Sequence, residues 1–250
     1  LSIIAPFDLS GWALLWMAAA VLGAAYIRGY SGFGFSALVV SASALVTNPL
    51  NLVPVVMLLE IVATAGQARN AWANLEVRTL LLLLAGASIA MPVSIYLLSS
   101  LDVNLLRLVI SAWILIMCAC ILSGWSLKAH VGTASTFGAG LVSGLANAAA
   151  VGGLPVALFL AARNLPAAVF RATMIFYLCA IDMVALPIFG FNGLITRDTF
   201  IAAIICVPLL GLGVWLGGRK FISAAPENFR RMAIGLLAFL AVMGLVKSLV

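Results

Sequence analysis

Long apolar runs follow one another along the whole chain, separated by only a few glycine, proline, asparagine or charged residues. A helix needs about 20 such residues to cross a hydrocarbon core of about 30 Å, and little else is stable there. Hydropathy and breakers together predict ten segments: 10–28, 33–47, 50–67, 79–98 and 104–123, then 133–151, 154–163, 166–190, 199–217 and 230–249. Two fall short of a bilayer. As helices, 33–47 would reach about 22 Å and 154–163 about 15 Å. Each follows a glycine-rich break: Gly29-Tyr30-Ser31-Gly32-Phe33-Gly34 before one, Val151-Gly152-Gly153 before the other.

The halves resemble each other. The short segments are second and seventh, Pro92 in the fourth is matched by Pro208 in the ninth, and Asn104-Leu-Leu-Arg107 resembles Asn228-Phe-Arg-Arg231. With five crossings per half, the second copy enters from the opposite side. The expected fold is therefore an all-α polytopic membrane protein with two inverted repeats of five membrane segments, residues 1–125 and 126–250, and one short broken helix in each. Positive charge agrees. If all ten segments cross, Arg28, Arg69, Arg78, Lys128, Arg163, Arg171, Arg219, Lys220, Arg230 and Arg231 share one side, expected to be cytoplasmic, against Arg107, Arg197 and Lys247.

Composition narrows the function. Residues are 65% hydrophobic and 8% charged, where a soluble domain carries roughly 25% charge. The net charge of +6 is spread singly between apolar runs, not clustered with aromatics, so nucleic acid is not expected as a partner. Cys118, Cys120, Cys179 and Cys206 lie in apolar segments without zinc-type spacing, and neither a metal nor a cofactor is expected. The first run lacks a basic leader pattern and reads as a span. His130, beside Lys128, reads as a solvated loop residue; Trp12, Trp16, Trp72 and Trp125 read as headgroup anchors.

Two constellations are candidates for chemistry. Unwound chain at depth persists only inside protein or beside a watery cavity, and the helix restarting there offers free N–H groups and a positive dipole end to an anion. Expected substrate-binding residues are Ser31, Gly32, Phe33, Gly34, Ser36, Asn147, Gly152 and Gly153, with Arg171 as a cationic contact. The bland alternatives are close packing through small residues and an Arg171 that snorkels to lipid phosphates. The second constellation is Glu60 and Asp182, in equivalent segments three and eight. A carboxylate at such depth costs about 2.5–3.5 kcal/mol or more, so proton exchange is expected, with a structural hydrogen bond or an Arg171 pair as the alternative.

The stretches Gly29-Tyr-Ser-Gly-Phe-Gly-Phe-Ser36 with Asn48-Pro49, Gly140-Leu-Val-Ser-Gly-Leu-Ala-Asn147 with Val151-Gly-Gly-Leu-Pro155, and Phe170-Arg-Ala-Thr173 resemble the sulfite exporter TauE/SafE family, also called toluene sulfonate uptake permeases. Tyr30, Phe33 and Phe35 interrupt the denser glycine cluster of many members, and members are often described with about eight spans, which ten segments match if the short ones are partial. The resemblance implies a multi-pass permease of the bacterial inner membrane for sulfite, a sulfonate such as sulfoacetate, or a related anion. The expectation is a secondary transporter using alternating access, with a small anionic substrate and the lipid bilayer as partners; a homo-oligomer is compatible with it. A passive anion channel is the rival. A membrane-embedded enzyme is disfavoured, because no catalytic residues cluster and the one histidine lies in a loop. No Walker-type loop is present to use ATP.

Overall fold

The computed structural model describes residues 6–9, 11–123, 132–163 and 165–221, with 238, 242, 245 and 246. Among the described residues there are nine helices and no strand: α1 (Gly11–Ser31), α2 (Phe35–Ser43), α3 (Pro49–Ala71), α4 (Val77–Ser99), α5 (Val103–Leu122), α6 (Thr133–Asn147), α7 (Gly153–Ala162), α8 (Ala167–Phe191) and α9 (Arg197–Phe221). They correspond to the first nine expected segments. The tenth segment, apart from the four isolated positions, lies outside the described residues, as do Trp125, Lys128, His130, Asn164, Arg230, Arg231 and Lys247.

Local signals fix several ends. Asn48 Oδ1 accepts from the Leu50 N–H with Pro49 in the first turn of α3, and Asp102 Oδ1 accepts from Asn104 and Leu105 at α5. Such caps contribute about 1 kcal/mol each. The expected bounds fail mainly at the breaks. The first helix runs to Ser31 and not 28, the second stops at Ser43 and not 47, and the sixth stops at Asn147 and not 151. With 15 residues, α6 is itself too short to span, so three helices fall short where two were expected. Six are long and apolar enough to cross a membrane: α1, α4, α5, α8, α9, and α3 with its 3-10 extension through Asn74.

Glycines set the closest crossings. A Cβ on Gly213 or Gly217 of α9 would strike the α1 backbone at Leu22 or Tyr26, and one on Gly140 or Gly144 of α6 would strike α4 at Leu83 or Ala87. Small residues let backbones approach this closely where lipid supplies no hydrophobic drive. These pairings run in step, so α9 is parallel to α1 and α6 is parallel to α4. At the centre α3 lies antiparallel to α8, with Thr64 against the Ile175 carbonyl and, further along the chain, the Glu76 N–H donating to Thr173 Oγ1 at 3.4 Å.

Counting the ten expected segments as a cycle, adding five to each helix number carries one set of contacts onto another. The pair α1 with α9 becomes α6 with α4, α3 with α9 becomes α8 with α4, and α1 with α2 becomes α6 with α7; α3 with α8 maps onto itself. The two broken-helix hairpins open at opposite ends of the bundle. Trp16 Nε1 donates to the Ala42 carbonyl at 3.0 Å, placing the start of α1 beside the end of α2. Arg163 Nη1 lies 2.7 Å from Glu76 Oε2, placing the end of α7 beside the start of α4. The exterior is apolar, with Ile89 64% and Ile204 72% exposed, while Arg28, Glu60 and Asp182 are buried inside. That inversion is what a lipid solvent selects.

Candidate functional site: two buried breaks around a charged cluster

The first break is residues 32–34, buried throughout. Gly32 (φ 83°) and Gly34 (φ 90°) turn the chain through the left-handed region, which costs a Cβ-bearing residue about 1–2 kcal/mol. The Ser31 hydroxyl lies 2.9 Å from both the Ile27 and Phe33 carbonyls, and the Gly32 N–H donates to the Arg28 carbonyl. Arg171 Nη2 donates to the Gly29 carbonyl at 2.6 Å, so a side chain of α8 satisfies the last turn of α1. The chain restarts as α2 with its N-terminus facing α3, where the Ser36 N–H donates to Glu60 Oε1 at 3.3 Å.

The second break, residues 148–152, is likewise buried, and Ala150 takes φ 55° without being glycine. Its peptide groups find partners. Val151 N–H donates to the Ala146 carbonyl, and Ser143 Oγ donates to the Gly152 carbonyl at 2.6 Å. Because that hydroxyl hydrogen is committed to a carbonyl, the Tyr177 hydroxyl, 2.6 Å from Ser143 Oγ, is the donor in the next link. Gly153 opens α7 against Leu178 of α8.

Between the breaks lies a charged cluster. Arg28 and Glu60 are both fully buried, with Nη1 3.0 Å from Oε2. Nη2 of Arg28 also donates to Thr64 Oγ1 at 2.9 Å and to the Glu60 carbonyl at 3.3 Å. The pair is a charge contact and not an aligned fork, since neither Nε nor Nη1 of Arg28 points an N–H at an acceptor. Asp182 of α8, also buried, is in electrostatic reach of Glu60 and Arg28. Asn147, the last residue of α6, neighbours Asp182, yet its Nδ2 completes no hydrogen bond of ordinary length.

A cleft of about 690 Å³ opens between α3, α8 and α9, lined among others by Ala63, Gln67, Asn70, Arg171, Val214 and Arg219. Ala63 of the cleft wall directly precedes Thr64, which accepts from the Arg28 guanidinium.

The expected residues thus divide. Ser36 and Glu60 meet in one contact; Asn147 and Asp182 are neighbours; Gly152 receives Ser143. Ser31, Gly32 and Gly34 shape the first turn, Phe33 stacks edge to face on Phe170 at 5.8 Å, and Arg171 binds the backbone of α1. Arg28 corrects the sequence reading. The charge pattern groups it with the arginines of one membrane face, but it sits in the interior as the partner of Glu60, a role for which the sequence offers Arg171. A signal existed: a carboxylate at depth requires a cation, and extending the first helix past residue 28 brings that arginine inside. Ser143, Tyr177 and Thr64 were also missed, because a hydroxyl carries little weight in hydropathy. Among the described residues no group of three side chains is placed to hold a metal.

A sequence model of the family described as Sulfite exporter TauE/SafE matches residues 17–244. No curated protein and no solved structure gives a significant match.

Proposed function

The chain belongs to the sulfite exporter TauE/SafE family, and from that premise we propose that it is a secondary transporter of a small sulfur oxyanion, sulfite or a sulfonate such as sulfoacetate, in the bacterial inner membrane. The observation that carries this reading is the meeting of two buried helix breaks, entering from opposite ends of the bundle, at one cluster of buried charge. Lipid does not tolerate unpaired peptide groups, so such breaks are kept where they line a pathway.

In this reading residues 1–125 and 126–250 are inverted repeats that rock about the α3 and α8 contact and expose the site to each side in turn. The exchange of helix contacts under a shift of five supports it. The breaks, with Ser31, Gly32, Phe33, Gly34, Ser36, Asn147, Gly152 and Gly153, form the substrate pocket. Arg171 and the adjoining cleft attract the anion, while Glu60 and Asp182 exchange protons. Three oxygens on sulfur suit several N–H donors at once. Purified protein in liposomes tests the reading under an imposed pH gradient with sulfite and with sulfoacetate. Accumulation above the equilibrium ratio is expected. Passive equilibration would make the protein a channel, and no flux of either anion would reject the substrate class.

A further inference from the structure

We propose that Arg28 is the charge partner of the transported anion and that the Glu60 carboxylate is a built-in occupant of the same place, so that the anion binds only as Glu60 takes up a proton. This rests on the anion-transporter reading and names the residue and the coupling that serve it.

Three observations lead here. First, Arg28 is 0% exposed, and a guanidinium cannot shed its proton, so this position needs a negative partner in every state. Second, the groups around the Glu60 carboxylate are those an oxyanion receptor requires: a guanidinium 3.0 Å away and the Ser36 N–H in the first turn of α2, at the positive end of that helix. The carboxylate fills the receptor incompletely, because Arg28 Nε and Nη1 have N–H bonds with no aligned acceptor. A sulfonate or sulfite, with a third oxygen, can engage them. Third, Thr64, which accepts from Arg28, directly follows the cleft-lining Ala63 on α3, so the receptor lies behind the wall of the cleft.

Charge balance supplies the coupling. Arg28 and Glu60, both fully buried, form a pair that is neutral as it stands, while Arg171 lines the cleft. Adding one anion leaves an uncompensated charge in a low-dielectric interior, which one proton removes. Glu60 is the acceptor because it alone occupies the donors the anion needs; Asp182 neighbours Asn147 instead. The groups around Glu60 are Arg28 from α1, and Asp182 and Cys179 from α8, with Arg171 behind Arg28. No side chain of α2 titrates; α5 and α9 carry only the thiols Cys118, Cys120 and Cys206 away from their ends. In the exchange the proton comes from water onto Glu60, and the anion replaces the carboxylate at Arg28 Nη1.

Calorimetric titration of detergent-purified protein with methanesulfonate, which keeps a single negative charge between about pH 5 and pH 8, reads this directly. Wild-type affinity is expected to tighten as pH falls, approaching roughly tenfold per pH unit, with about one proton taken up per anion. Glu60→Gln is expected to bind with an affinity independent of pH. Arg28→Gln is expected to weaken binding by about a hundredfold. Should Arg28→Gln fail to give a monodisperse protein, the double variant Arg28→Gln with Glu60→Gln, whose buried pair is neutral, is expected to fold and not bind. A flat wild-type pH profile, a pH slope retained in Glu60→Gln, or normal binding without Arg28 overturns the proposal while leaving the transporter reading intact. Absence of binding of methanesulfonate and of sulfite by the wild type at every pH sinks the transporter reading itself.

Discussion

Neutralising one member of the Arg28 and Glu60 pair is expected to harm the fold more than neutralising both. In Arg28→Gln the Glu60 carboxylate, fully buried, keeps the Ser36 N–H at 3.3 Å as its remaining hydrogen bond. Stranding a charge in this way costs about 3–5 kcal/mol. Glu60→Gln strands the guanidinium, which retains Thr64 and the residue 60 carbonyl, and a cost in the same range of about 3–5 kcal/mol is expected. The double variant places two neutral amides side by side, able to bond to each other, to Thr64 and to the Ser36 N–H. It should lose only about 1–3 kcal/mol, giving a coupling energy of about 3 kcal/mol or more. Unfolding in mixed micelles by titration with dodecyl sulfate, followed through the six tryptophans, measures all four states of the cycle. Additivity of the two single costs to within about 0.5 kcal/mol would show that the charges do not depend on each other, and the buried pair would be refuted.

Three further outcomes are expected. Ser143→Ala leaves both the Gly152 carbonyl and the Tyr177 hydroxyl without their shared partner and should destabilise by about 2–4 kcal/mol, whereas Tyr177→Phe removes one donor and should cost about 1 kcal/mol; thermal unfolding and hydrogen exchange across 148–152 compare them. Gly32→Ala combines a left-handed φ with a Cβ approaching the Arg171 side chain to 2.8 Å, and Gly34→Ala meets only its φ, with the nearest atom at 3.7 Å; Gly32→Ala should be the more destabilising by about 1–3 kcal/mol in the same melts. At the bundle end, partial burial raises Glu76, but the Thr79 hydroxyl and the Arg163 guanidinium outweigh it and hold it below the ordinary 4.5. A depressed carboxylate contributes stability above that value and loses it as pH falls through its folded pKa, so Arg163→Ala should remove a small stability difference, under about 1 kcal/mol for so exposed a pair, seen at neutral pH and absent at low pH.

Much of the candidate site was legible as positions and little of it as contacts. Gly32 and Gly34 announced the first break because few other residues adopt its backbone angles, and Gly152 with Gly153 announced the second. Ala150, which carries a positive φ without being glycine, gave no such sign. Glu60 and Asp182 stood out because charge is rare in apolar chain. Arg28 did not, since an arginine at the end of an apolar run has the same pattern whether it snorkels outward or is drawn inside by a partner. The extra turn of α1 beyond that arginine is met from α8, where Arg171 donates to the Gly29 carbonyl.

The amino-acid sequence by itself determined the solvent and the segment type. Cost per apolar or charged group is a local quantity, summed over windows of about 20 residues, and it placed ten segments, nine of them seen as helices among the described residues, and two interruptions. Which polar groups meet was decided only in three dimensions. Arg28 finds Glu60 across 32 residues, and Ser143 finds Tyr177 across 34. Those meetings follow from glycine-lined crossings of α1 with α9 and of α4 with α6, which hold the helices around α3 and α8. A buried charge must find its counterpart, but a hydropathy profile carries no information about which helix supplies it.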